Sequence, residues 1–185
     1  MSLVRAAIVG VHEGPMDMLQ RRVGGILKGI AEVITCTPEE VDRIDAPLLI
    51  SYAHGARQQF MHGRFAHSDR KVIGAELTLL PVAVKTLRLL DPRLRVGVLA
   101  EHQRCANHFL SEIIRAGIMD FKFEIGTFED MAELRVHRFV VSEEMAGYVN
   151  RKPLRPGQEI ILVPRTISPT SAAEIIHAAL EVASR

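Results

Sequence analysis

Two cysteines in 185 residues, Cys36 and Cys105, are too few and too far apart for a disulfide scaffold or a zinc site. Such sparing use fits a reducing compartment, and a cytoplasmic location is the expectation. No apolar run approaches the roughly 20 residues that span a bilayer, and no N-terminal run has the basic, apolar and small-residue order of a signal peptide. Charge of neither sign prevails. Lys and Arg number 23 against 22 Asp and Glu, so the formal charge of +1 carries none of the basic footprint of a stand-alone nucleic-acid binder. No G-x-x-x-x-G-K-[ST] occurs, and Val9-Gly-Val-His-Glu-Gly14 is not a G-x-G-x-x-G fingerprint, so neither familiar nucleotide-binding loop is present. Among eight histidines, His62 and His67 are five apart and His102 and His108 six apart. Two ligands on one helical face stand three or four apart, so no metal and no cofactor is expected.

What is present is an alternation of short apolar runs and amphipathic stretches. Arg95–Ile118 shows it most clearly. Val96, Val98 and Leu99 form a β-rich run, Glu101 to Arg104 are polar, and Phe109, Leu110, Ile113 and Ile114 recur at helical spacing before Gly117. The same order opens the chain. Residues 5–10 read as a strand; Leu19, Val23, Ile26, Leu27 and Ile30 lie on one helical stripe; Glu32–Cys36 is a second strand. Thr37-Pro-Glu-Glu40 has the form of a capping box ahead of a short helix. Strands follow at Ala46–Tyr52 and Lys71–Leu77, and the aperiodic segment Arg57–Arg70 between them reads either as a frayed helix or as a mobile flap.

A helix from Pro81 to Asp91-Pro92 bridges to the second half, where strands are expected at Phe121–Gly126, His137–Ser142 and Gln158–Val163. Ser168 and Pro169 open a final helix with Ile175, Ile176, Ala179 and Leu180 on its buried face. The expected fold is therefore α/β: two similar three-layer halves with mostly parallel sheets and a cleft between them at the strand C-terminal ends. The expected division is residues 1–80, a bridging helix at 81–93, and residues 94–185.

Open α/β sheets hold ligands at those strand ends. The polar residues there are His12 and Glu13; Ser51, Tyr52 and His54; Glu76; Glu101 and Arg104; Ser142 and Glu143; and Arg165 and Thr166. Ser51 and Ser142 read as equivalent positions closing the third strand of each half. Ser142 reads equally as the N-cap of a helix after it. Ser51, with His54 and Gly55 beside it, suits a carboxylate pocket or a weak nucleophile-base pair. Arg165 and Arg104 read either as anion clamps at helix N-termini or as solvated residues beside capped helices. Cys36 and Cys105 read as small apolar fillers, with the helix start beside Cys105 able to lower its pKa.

Leu49-Ile-Ser51-Tyr-Ala-His-Gly and Val140-Val-Ser142-Glu-Glu resemble the strand ends at which aspartate/glutamate racemase-like enzymes carry a pair of cysteines. Both positions here are Ser, a far weaker acid than Cys, and no matching base stands beside either. The run from Asp45 through Arg95-Val-Gly-Val-Leu-Ala to Gly117 is similar to effector-sensing domains of bacterial transcription regulators, of the propionate-activator or GntR type. The donors gathered at the strand ends, without a nucleophile-base-orienter set among them, point to a non-catalytic domain of that kind, binding a small anionic ligand through His12, Ser51, His54, Glu101, Arg104, Ser142, Arg165 and Thr166. A homo-oligomer is expected, with no membrane contact because no apolar run is long enough to span one. No helix-turn-helix is recognisable, so direct nucleic-acid contact from these residues is not expected. The alternative is a cofactor-independent racemase, isomerase or lyase acting on a small carboxylate, with His12, His54 or Glu101 as general base.

Overall fold

The computed structural model describes residues 3–53, 56–149 and 153–185. Along the chain run β1 (Val4–Val9), α1 (Glu13–Ile26), β2 (Ala31–Cys36), β3 (Leu48–Tyr52), α2 (Ala56–Phe65), β4 (Lys71–Ala75), β5 (Leu77–Leu79) and α3 (Pro81–Arg88). After these come β6 (Arg95–Ala100), α4 (Gln103–Arg115), β7 (Lys122–Thr127), β8 (Arg138–Ser142), α5 (Ala146–Val149), β9 (Glu159–Val163), β10 (Arg165–Ile167) and α6 (Pro169–Ala183). Two compact units result, one of Met1–Leu77 with Ile167–Arg185 and one of Thr78–Thr166.

The first unit is built on a parallel sheet of order β2-β1-β3-β4. Side chains alternate across it. Ala6, Ile8, Leu48 and Ile50 face α1 and α6, where they meet Leu19, Val23, Ile175 and Ala179. Ala7, Val9 and Leu49 face the other way, onto Met61 and Phe65 of α2 and Val41 of a 3-10 turn. Both faces are covered, which is why these strands read as unbroken apolar runs.

The second unit repeats this plan with order β7-β6-β8-β9, again parallel. Val96, Val98 and Val140 pack on Phe109 and Ile113 of α4 and Leu87 of α3. Leu99, Phe139 and Val141 pack on Met131, Met145 and Val149. Helix α4 ends in a Schellman turn, in which Ile118 N–H donates to Ile113 O at 3.3 Å and Gly117 takes φ 76°.

Several expectations change in detail. The last helix belongs with the first half, not with residues 94–185: α6 lays Ile175, Ala178 and Ala179 on the core built from Ala6 and Ile8. The expected strand at 71–77 breaks at Glu76, because the Glu76 N–H leaves the ladder for Ser171 Oγ at 3.0 Å. Leu77–Leu79 then pairs with Arg165–Ile167, a segment expected to be a loop, and this two-stranded ribbon is antiparallel. At its ends Leu80 N–H donates to Pro164 O and Ser168 N–H to Glu76 O. The capping box forms in part. Thr37 N–H donates to the Glu40 carboxylate at 2.9 Å, but only the 3-10 turn Val41–Arg43 comes after it. The aperiodic segment is helical over Ala56–Phe65.

Candidate functional site

In a sheet of order β2-β1-β3-β4 the connections leave in opposite directions from β1 and β3, so the carboxyl ends of those two strands bound the crevice where such sheets take ligands. Gly10, His12, Ser51 and Tyr52 stand at these ends. The Gly10 N–H donates to Cys36 O at 3.1 Å, and a Cβ at Gly10 would lie 2.4 Å from Met16 Cγ, so α1 begins hard against the strand end. Tyr52 Oη donates to Pro15 O at 3.4 Å, and His12 is the N-cap of α1, half-buried and with no side-chain capping bond.

Ser51 is 2% exposed, and among the described residues its Oγ has no hydrogen-bond partner. Burying a hydroxyl without a partner costs about 1–3 kcal/mol on protein scales, so such an atom calls for an explanation.

Ser51 and Ser142 are not equivalent, contrary to the reading of the two strand ends. Ile8 pairs with Ile50 on the α1 face in the first unit, and Val98 pairs with Val140 on the α4 face in the second. The residue after each, Ser51 and Val141, then points to the opposite face, and Ser142 corresponds to Tyr52. A shift of one residue along a strand exchanges the two faces, which strand ends alone do not reveal. The place of the buried Ser51 hydroxyl is thus filled in the second unit by Val141, fully buried among apolar side chains. Ser142 does hold the N-cap position of the 3-10 turn Glu143–Met145, but its side chain makes no capping bond.

In the second unit the charged residues pair among themselves. Arg165 Nε donates to Glu144 Oε1 at 3.0 Å, Nη2 reaches the same oxygen, and Nη1 donates to Glu112 at 3.2 and 3.3 Å. The guanidinium also lies 4.9 Å from the Phe109 ring centroid. All three charged side chains are largely withdrawn from solvent, with exposures of 13% for Arg165, 10% for Glu112 and 3% for Glu144. Burial pushes the Glu112 carboxyl above its usual range, and the Arg165 charge only partly opposes it. Two carboxylates already hold this guanidinium, so Arg165 is not the anion clamp that its sequence context suggests.

The remaining candidates divide between the units. Glu101 is half-buried just beyond β6, Arg104 is exposed in the first turn of α4, and Thr166 is half-buried in β10. His54 lies outside the described residues. Cys36 is buried, and desolvation raises its thiol to about 11, whereas Cys105 is half-buried in the first turn of α4. Among the described residues no group of three or more His, Cys, Asp or Glu is placed to hold a metal ion, and no helix is long and apolar enough to cross a membrane.

Sequence reasoning missed Glu112 and Glu144 as partners of Arg165. A signal existed for Glu112, which adjoins the Ala106, Phe109 and Ile113 stripe of α4; a carboxylate at the edge of a buried face needs a cation. No protein-family model matches the chain, and neither the curated proteins nor the solved structures contain a significant match to it.

Proposed function

We propose that this chain is a small-molecule effector-binding regulatory domain whose ligand meets the carboxyl ends of β1 and β3 in the first unit. The observation that carries this reading is the Ser51 hydroxyl, buried and without a partner among the described residues at the sheet's switch point, where the second unit has Val141. A residue kept only for packing has no use for that oxygen, as Val141 demonstrates. A ligand that accepts or donates one hydrogen bond there removes the burial penalty and gains the difference in affinity.

The reading is non-catalytic because a nucleophilic serine needs a base within hydrogen-bond reach, and among the described residues none bonds to Ser51 Oγ. A racemase-like pair also needs two matched groups, and Ser142 sits on the opposite face of its sheet from the place equivalent to Ser51.

The test is a thermal-shift and calorimetric screen of small carboxylates and phosphates against wild type and Ser51→Ala. A ligand at about a hundred times its Kd stabilises the folded chain by roughly 2.7 kcal/mol. Wild type should show such a shift and Ser51→Ala should lose it. A screen without a stabilising ligand, or one that stabilises both proteins alike, removes the basis for this function.

A further inference from the structure

Helix α3 opens on Pro81 at its first position and turns Ala83 and Leu87 into the core of the second unit. Pro81, Val84, Lys85, Arg88 and Leu89 recur at the i, i+3, i+4, i+7 and i+8 spacing of one helical face. With Leu79 of β5 they line an open groove of about 520 Å³. We infer that this groove binds an aliphatic carboxylate, its tail on Leu79, Pro81, Val84 and Leu89 and its head on Lys85 and Arg88. The site lies within the second unit and is independent of Ser51.

The charge of the groove is of one sign. From Leu77 to Leu90 the sequence has no Asp or Glu, and the next acid, Asp91, is held by Arg93 through Nε at 3.0 Å and Nη2 at 2.7 Å. Among the described residues no carboxylate pairs with Lys85 or Arg88. Arg88 Nη2 donates to Ala116 O at 3.1 Å, which ties the guanidinium to the end of α4 and leaves its other N–H groups as donors. A fixed fork and an ammonium three residues apart, above an apolar floor, match a group that is anionic at one end and apolar along its length.

The first unit holds a comparison. Helix α6 also follows a ribbon strand, opens on Pro169 and sets Ile175 on its core as α3 sets Leu87. Counted from the two prolines, Lys85 corresponds to Ala173 and Arg88 to Ile176. The packing role thus needs neither cation, and the charged face is peculiar to α3. Size selects the occupant. Pockets for small molecules are roughly 300–1,000 Å³ and mostly apolar, with a few polar groups. A standard protein interface engages about 20–30 residues on each side, against six here. Two cations on an eight-residue helix that spends Ala83 and Leu87 on its own core give a membrane surface little to hold.

The experiment is an amide NMR titration of the ¹⁵N-labelled full chain with sodium octanoate at constant ionic strength, with butyrate and 1-octanol as probes that lack the tail or the charge. Octanoate should give saturable shifts at residues 82–90 and at Ala116 and Gly117, with residues 170–177 of α6 unmoved, and should bind about tenfold or more tightly than either other probe. Lys85→Gln, an exposed change, should weaken octanoate about tenfold, and Leu89→Ser, at a side chain 77% exposed, severalfold. Val82→Ser, on another face of α3, and Ser51→Ala should leave it unchanged. Arg88→Gln also breaks the tie to Ala116 O, so Lys85→Gln carries the test of charge. Octanol or butyrate binding as tightly as octanoate, shifts centred away from α3, no saturable shift, or indifference to both Lys85→Gln and Leu89→Ser overturns the inference. Shifts at α3 that grow with protein concentration and are untouched by octanoate give the groove to a second copy of the chain and overturn it. Sedimentation with phosphatidylserine vesicles that Lys85→Gln abolishes, without octanoate binding, gives the face to a membrane and overturns it too.

Discussion

Arg165 is where a single substitution should test the energetic reasoning most sharply. Replacing it with methionine keeps a long apolar stem over Phe109 but removes the cation that faces Glu112 and Glu144. The two carboxylates, 10% and 3% exposed, are left with no opposite charge from this residue. Breaking a buried ion pair from one side costs about 3–5 kcal/mol, mostly the penalty of the charge left behind. This is far above the ~0–1 kcal/mol expected for an exposed pair such as Arg93 with Asp91. The pH dependence comes from Glu112. Its folded pKa already lies above the ordinary carboxylate value, because desolvation outweighs Arg165. A carboxyl raised in the folded state stabilises the fold below its unfolded pKa and loses that contribution as pH rises through the folded value. Removing Arg165 raises Glu112 further and carries the loss to higher pH. The destabilisation should therefore be smaller near pH 5 and larger near pH 8.

The chain has no tryptophan and two tyrosines, Tyr52 in the first unit and Tyr148 in the second, so a Tyr52→Phe background leaves Tyr148 as a fluorescent reporter of the unit that holds the cluster. Urea unfolding in that background at several pH values gives the measurement. Adding Glu112→Gln and Glu144→Gln to Arg165→Met should recover much of the loss, since neutral amides need no cation. A loss below about 1 kcal/mol, or one flat between pH 5 and 8, would refute the account of a buried, mutually dependent cluster.

Two further outcomes rest on separate features. At Gly97 in β6 an added Cβ would lie 2.9 Å from Phe139 Cδ1 and 3.0 Å from Val136 Cγ2, and Phe139 is fully buried. Gly97→Ala should cost about 1–3 kcal/mol in urea unfolding through overpacking, and Gly97→Ala with Phe139→Leu should cost less than the two changes added together. An additive pair would show that the two positions do not press on each other. At pH 8 iodoacetamide should modify Cys105 well before Cys36, whose buried thiol is raised to about 11; peptide mass spectrometry reads the order, and equal rates would contradict that placement.

Much of the fold was legible because strands buried on both faces and helices buried on one write different periods into the chain. Val96, Val98 and Leu99 with Phe109 and Ile113 after them gave one strand and one helix without ambiguity, and Ser168-Pro169 marked the start of α6, where Ser168 Oγ accepts from Ser171 N–H. The two-half pattern and the parallel sheets came from the order of elements. Residues 56–65 escaped because α2 has Gly63 and polar residues along its length, and Met61 and Phe65 anchor it only once the sheet is in place.

The amino-acid sequence by itself determined which segments become strands and helices, the parallel α/β class and the strand ends where polar side chains gather. These depend on local periodicity and on the steric preferences of each residue. The tertiary structure alone decided that α6 packs on the first sheet, that Ser51 corresponds to Val141 and not to Ser142, and that Arg165 is held by Glu112 and Glu144. Each of these rests on contacts between residues far apart in the chain, and on strand register, where one residue exchanges a solitary hydroxyl for a methyl group.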